Sequence, residues 1–177
     1  MLIPYAEAMR FIGGYKSVFL VVLTAAGEKR TLEVINDLAR ARSYVSDHPE
    51  ALIEAIERVK NRGEPLTDPV ESALRSLKIG RWFYLRHTTQ YALLLDERSQ
   101  HAYAVKALTD PLHEITGGKA VIFEAGLVEY GDQYVCDGII LGPVYLGAGI
   151  MKNLKEAYRR IKAEGRFHLK VAAQPGG

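Results

Sequence analysis

Apolar positions recur at helical spacing through the first part of the chain and give way to short apolar runs beyond Lys78. Phe11, Ile12, Tyr15, Val18, Phe19, Val22 and Leu23 fall on one helical stripe. The Gly13-Gly14 pair and the β-branched residues of Val18–Leu23 leave a hairpin open as an alternative. That hairpin would turn at Gly27 and return through Thr31–Ile35. The stripe favours a helix. Between Thr31 and Val45, Leu32, Ile35, Leu38, Ala39 and Arg42 repeat at the same spacing and predict a second one.

Two further helices carry start signals. Asp47 with Glu50 three residues on forms a capping box, in which each side chain satisfies a free backbone donor. Leu52, Ile53, Ile56 and Val59 would be its buried stripe, and Gly63 its end. Asp68-Pro69-Val70-Glu71 repeats the signature, with proline at the first helical position, where no amide hydrogen is missed. Val70, Ala73, Leu74 and Leu77 then face inward.

From Arg81 the period changes to that of strands. Arg81–His87, Gln90–Glu97, His101–Leu108, Lys119–Tyr130 and Gln133–Tyr145 are rich in β-branched and aromatic residues and bounded by turn residues. Gly131-Asp132 makes a hairpin tip. Asp110–Ile115 reads as a short capped helix between the third and fourth runs. Three strands, a short helix and two strands predict a five-stranded antiparallel sheet or a small OB- or SH3-like barrel. Ile150, Met151, Leu154, Ala157, Tyr158 and Ile161 then repeat at helical spacing and predict a closing basic, amphipathic helix. The fold class is therefore α+β. A helical unit over 1–79 precedes a sheet or barrel with its C-terminal helix over 80–177, with the two parts separate or integrated as one domain.

Composition changes this picture little. The 177 residues carry a formal net charge of +2, too small to name a partner. Charge distribution says more: residues 1–78 hold 11 basic and 11 acidic side chains, while Gly149–Lys170 holds seven Lys or Arg against Glu156 and Glu164. The single Cys136 removes an internal disulfide and any cysteine-pair metal site, which favours a reducing compartment and a cytoplasmic location. The apolar run Val18–Thr24 is well short of the ~20 residues that span a bilayer, so it is read as core, and no membrane partner is expected.

Four features could carry chemistry. Trp82, Tyr84 and Arg86 alternate along one run, and a face of exposed rings beside a cation suits single-stranded nucleic acid, which stacks its bases and places its phosphates. The same rings could equally fill the core. On the C-terminal helix Lys152, Lys155, Arg159, Arg160 and Lys162 could meet phosphate or another polyanion, or be a solvated face. Gly147 and Gly149 precede that helix, with Lys152 in its first turn, where backbone amides could receive an anion. The match to a dinucleotide fingerprint is partial, because Lys152 stands where its third glycine would be and no acidic residue follows for a ribose. His87, Cys136 and Asp137 are the catalytic candidates, with a structural cysteine and a bulge at Asp137-Gly138 as the plainer reading. No metal-ligand spacing stands out, and no cofactor is expected.

The leading expectation is a non-enzymatic binding module for nucleic acid or another polyanion. A small-molecule enzyme or sensor with its anion site at 147–152 is the second. A protein-assembly subunit, homo-oligomeric through an open sheet edge, is the third.

Overall fold

The computed structural model describes residues 1–171. Four helices come first: α1 (Tyr5–Ala25), α2 (Val34–Asp47), α3 (Glu50–Asn61) and α4 (Asp68–Arg75). The sheet follows with β1 (Lys78–His87), β2 (Ala92–Asp96), β3 (Ala102–Lys106), α5 (Leu112–Ile115), β4 (Val121–Tyr130), β5 (Gln133–Cys136) and β6 (Leu141–Tyr145). Helix α6 (Ala148–Ala163) and the two-residue β7 (Phe167–His168) complete the described chain.

Residues 15–25 are helical, so the hairpin alternative falls away. By length and composition α1 could cross a membrane; nine of its residues are buried within the protein. Two helix starts differ from expectation. Asp47 is the last residue of α2, and Pro49 precedes α3 without any side-chain cap bond, so the Asp47–Glu50 box does not form. Leu32 is fully exposed and Ile35 largely so, because α2 begins only at Val34 and turns Leu38, Ala41, Arg42 and Val45 inward. Pro69 does lie in the first turn of α4, and Gly63 follows α3 at a φ of +71°, a conformation that favours glycine.

The sheet is mixed and seven-stranded, where a five-stranded antiparallel one was expected. Two causes separate expectation from outcome. The run Gln133–Tyr145 divides at Asp137–Ile140, with Gly138 at a φ of +80°, so its halves pair with different stretches of β4 as β5 and β6. The segment after α6 then adds β7, parallel to the start of β3. Within the sheet, β1 pairs antiparallel with β2 and β2 with β3; β3 runs parallel to β5; β5 is antiparallel to β4. Because β4 also pairs with β1 over seven residues, from Lys78↔Leu127 to Tyr84↔Val121, the hydrogen-bonded path returns to its start.

Among the described residues the buried side chains form three clusters, two of them separated by the two-residue period of the strands. Trp82 and Tyr84 of β1, Leu94 of β2, Val105 of β3, Phe123 of β4 and Cys136 of β5 meet inside the circuit, with Leu112 of α5 among them. The alternate residues of β1 and β2, Phe83, Leu85, Leu93 and Leu95, lie outside and are covered by Leu154 and Ile161 of α6. Burying each of those two helix side chains contributes about 1.5–3 kcal/mol. The four N-terminal helices share the third cluster with Val128 and Tyr130 of β4, Val135 of β5 and Ile139.

Candidate polyanion surface and buried charge centre

The proposed ring face on β1 does not exist as a surface. Trp82 is 5% exposed and Tyr84 fully buried. The indole Nε1 of Trp82 donates to Ala125 O at 3.0 Å, and the Tyr84 hydroxyl lies 2.9 Å from His87 Nδ1. Rings that point into the strand circuit bury their whole area and cannot stack on a base. Arg86 leaves their face altogether. Tyr84 pairs with Leu94 and Arg86 with Leu93, so Leu85 is the extra residue of a β-bulge and the alternation slips there. The Arg86 guanidinium instead sits 5.9 Å from the ring centre of Tyr158 on α6.

Helix α6 holds the remaining cationic candidates. Its apolar stripe is seated as predicted for Leu154 and Ile161, with Met151, Ala157 and Tyr158 half-buried beside them, while Ile150 is 49% exposed. Lys152, Lys155, Arg159, Arg160 and Lys162 are all exposed. Spacings of three, four and three residues align Lys152, Lys155, Arg159 and Lys162 in a row about 15 Å long, at ~1.5 Å per residue. Arg160 lies on the opposite flank of the polar face, beyond Glu156. Among the described residues, none of these five side chains, nor Arg86, forms an ion pair. Some cations elsewhere are matched, Lys60 and Arg75 with Glu71, Lys78 with Glu129, Arg81 with Glu97, Arg166 with Glu164, and Lys170 with Asp132, while others, Lys16, Arg62 and Lys119 among them, form no ion pair among the described residues.

Gly147 and Gly149 open α6 as expected, but neither is needed for its backbone shape. Gly147 has a φ of −73°, and a Cβ at either position would meet nothing within 4 Å. What they leave is open space over the first turn, which has no side-chain cap. The dinucleotide reading also lacks its framework, because α6 joins β6, on β4, to β7, on β3, so it does not connect neighbouring parallel strands.

The catalytic candidates are placed apart from solvent or from each other. Cys136 is fully buried inside the circuit, and burial, with the Asp137 carboxylate adding to it, pushes its thiol up to about 12. A thiol so placed has almost no nucleophilic thiolate at neutral pH. Alkylating reagents are therefore expected to label Cys136 in denaturant and to leave it unmodified in the folded protein, even at mildly alkaline pH. Rapid labelling under native conditions would contradict the burial. His87 is exposed and stacks on His113 with ring centres 4.4 Å apart.

Asp137 belongs to a buried charge centre that joins the helices to the sheet. Arg42 of α2, itself fully buried, donates through Nη1 to both carboxylate oxygens at 3.2 and 2.9 Å, and also to Ile139 O. The Tyr15 hydroxyl of α1 donates to Oδ2 at 3.1 Å, and Ile139 N to Oδ1 at 3.1 Å. Arg42 Nη2 lies 3.4 Å from Glu124 on β4. Burial pushes the Asp137 carboxyl up, and Arg42 with the Ile139 and Gly126 backbone pulls it part of the way back. Burial opposes the charge on Arg42, but Asp137, with Tyr15 and Glu124 adding to it, more than offsets this, so its pKa is raised. Tyr15 is raised well above its usual range by burial and then by Asp137. With its lone pairs taken in this way, Asp137 is placed to hold two layers together and not to act as a base. Neither Tyr15 nor Arg42 was among the candidate residues, although Arg42 did fall on the apolar stripe of its helix.

Among the described residues, no group of three or more His, Cys, Asp or Glu side chains is arranged to hold a metal ion. Compared with protein-family models, curated proteins and solved structures, the chain matches none.

Proposed function

We propose that the protein is a non-enzymatic binding module for nucleic acid or another polyanion, held along α6. The observation that carries this is the row of Lys152, Lys155, Arg159 and Lys162, all exposed, aligned on one face of α6 and without an ion pair among the described residues. Arg86, steadied over Tyr158, extends the row from the sheet side. Exposed cations without partners gain by neutralising phosphates, because each contact releases condensed counterions.

The closed strand order β1-β2-β3-β5-β4, with a short helix before β4, supports reading the circuit as an OB-like barrel. Such barrels take oligonucleotides on the face of their second and third strands. Here α6 packs over the outer side of β1–β3, so its cations stand where such a ligand would lie. Phosphate contact by the helix thus replaces base stacking by the sheet.

Substituting Lys155, Arg159 and Lys162 together by Gln tests this. For single-stranded nucleic acid the slope of log affinity against log salt is expected to flatten by about 2, at ~0.7 per lost phosphate contact. An unchanged slope would sink the proposal. All three positions are exposed, so circular dichroism and melting are expected to stay at wild-type values. The enzyme or sensor alternative has less support, since Cys136 and Asp137 are enclosed. Assembly through the free side of β6 is weakened by Pro143, which lacks a donor in the middle of that strand. A cytoplasmic setting, inferred from one unpaired cysteine, goes with the proposal.

A further inference from the structure

A cavity of about 220 Å³ lies between the helical layer and the strand circuit, with no residue of α6 in its lining. Phe11 of α1, Leu38 of α2, Leu108, Leu112 and Ile139 form buried apolar walls. Tyr15 and Asp137 stand in its lining, but their polar atoms are engaged with one another, with Arg42 and with Ile139 N. The polar side chains of the interior are thus engaged, and what it offers an entering group is mainly shape and apolar contact. A hydrocarbon group suits such an interior best.

The rim is different. Lys16 and Asp110 are both exposed and both line the opening, yet neither forms an ion pair among the described residues. Asp110 accepts one hydrogen bond, from Thr109 Oγ1 at 2.8 Å, and has acceptor capacity left. One cation and one anion flanking an apolar hole complement a ligand that carries a carboxylate and an ammonium on one carbon with a hydrocarbon side chain. The volume sets the size. It is below the ~300–1,000 Å³ typical of drug-sized ligands, which suits a short side chain better than a nucleotide.

We propose that this cavity binds a small aliphatic α-amino acid, its side chain between Phe11, Leu38 and Ile139, its carboxylate at Lys16 and its ammonium at Asp110. This site is independent of the polyanion surface, and either can fail without the other. Its walls come from α1 and α2 and from α5 and the segments that follow β3 and β5, so occupancy adds contacts across the same junction that Arg42 and Asp137 tie.

Calorimetric titration of the full chain with L-leucine, 4-methylpentanoate and 3-methylbutylamine tests the assignment. Leucine is expected to bind saturably, and each analogue lacking one charge roughly tenfold more weakly, as for loss of one charge-assisted contact. Lys16→Gln and Asp110→Asn, both at exposed positions, are each expected to weaken leucine by a similar factor. Asp110→Asn should leave the weak binding of 4-methylpentanoate unchanged. The proposal is overturned if leucine gives no saturable heat, if either analogue binds as tightly as leucine, or if neither substitution alters leucine affinity.

Discussion

Asp137→Ala is expected to remove about 3–5 kcal/mol of folding stability, measured by urea denaturation, because it leaves the fully buried Arg42 guanidinium with only the part-exposed Glu124, 3.4 Å away, as a charged partner. Charges in the interior are tolerated only when paired, and Asp137 supplies two of the acceptors Arg42 reaches. The Tyr15 hydroxyl and the Ile139 amide lose an acceptor in the same step. The effect belongs to the pair rather than to either residue. Replacing Arg42 by Met in the Asp137→Ala background is therefore expected to recover part of the loss, since no buried, poorly compensated charge then remains. If Asp137→Ala alone costs less than about 1 kcal/mol, as ordinary surface changes do, the centre does not tie the helices to the sheet.

Gly126→Ala attacks the same centre from β4. A Cβ there would stand 2.5 Å from Asp137 Oδ2 and 2.7 Å from Leu77 Cδ1. Leu77 can turn aside, but the carboxylate is held by Arg42, Tyr15 and the Ile139 amide and cannot. The substitution is expected to cost about 1–3 kcal/mol, as overpacking does. Gly13→Ala gives the contrast: a Cβ there meets nothing within 4 Å, and the position lies inside α1. It is expected to stabilise by about 0.5–1 kcal/mol, the usual gain of alanine over glycine in a helix. Equal effects of the two in urea denaturation would show that close packing at Gly126 is not what matters.

Much of the scaffold was legible in the sequence because it rests on local periodicity. The stripes of α1 and α6, the proline of α4 and the glycine after α3 all act within a few residues of where they are seen. Faces and neighbours are not local. Alternation placed Trp82 and Tyr84 on one face of β1, but period two does not say which face is buried. The bulge at Leu85 then moved Arg86 to the other side, and nothing in the run Arg81–His87 marks an extra residue. The parallel pairing of β3 with β5 joins segments with α5 and β4 between them, and the strand runs carry no sign of it. The Arg42–Asp137 pair spans 95 residues. Its one signal was an arginine on an apolar stripe, a position where a charge requires a buried partner. The cationic row of α6 was readable in full, because exposure of a polar helix face follows from the burial of the opposite one.

The most direct test of α6 as the polyanion surface is a titration of a labelled single-stranded oligonucleotide. Anisotropy and Trp82 emission would be followed together, at low and at physiological salt. Saturable binding that weakens with salt, with Trp82 emission unchanged, is the predicted result, because the indole is enclosed in the strand circuit and bonded to Ala125. Absence of binding at low salt, or binding that quenches Trp82 and persists undiminished at the higher salt, would contradict it.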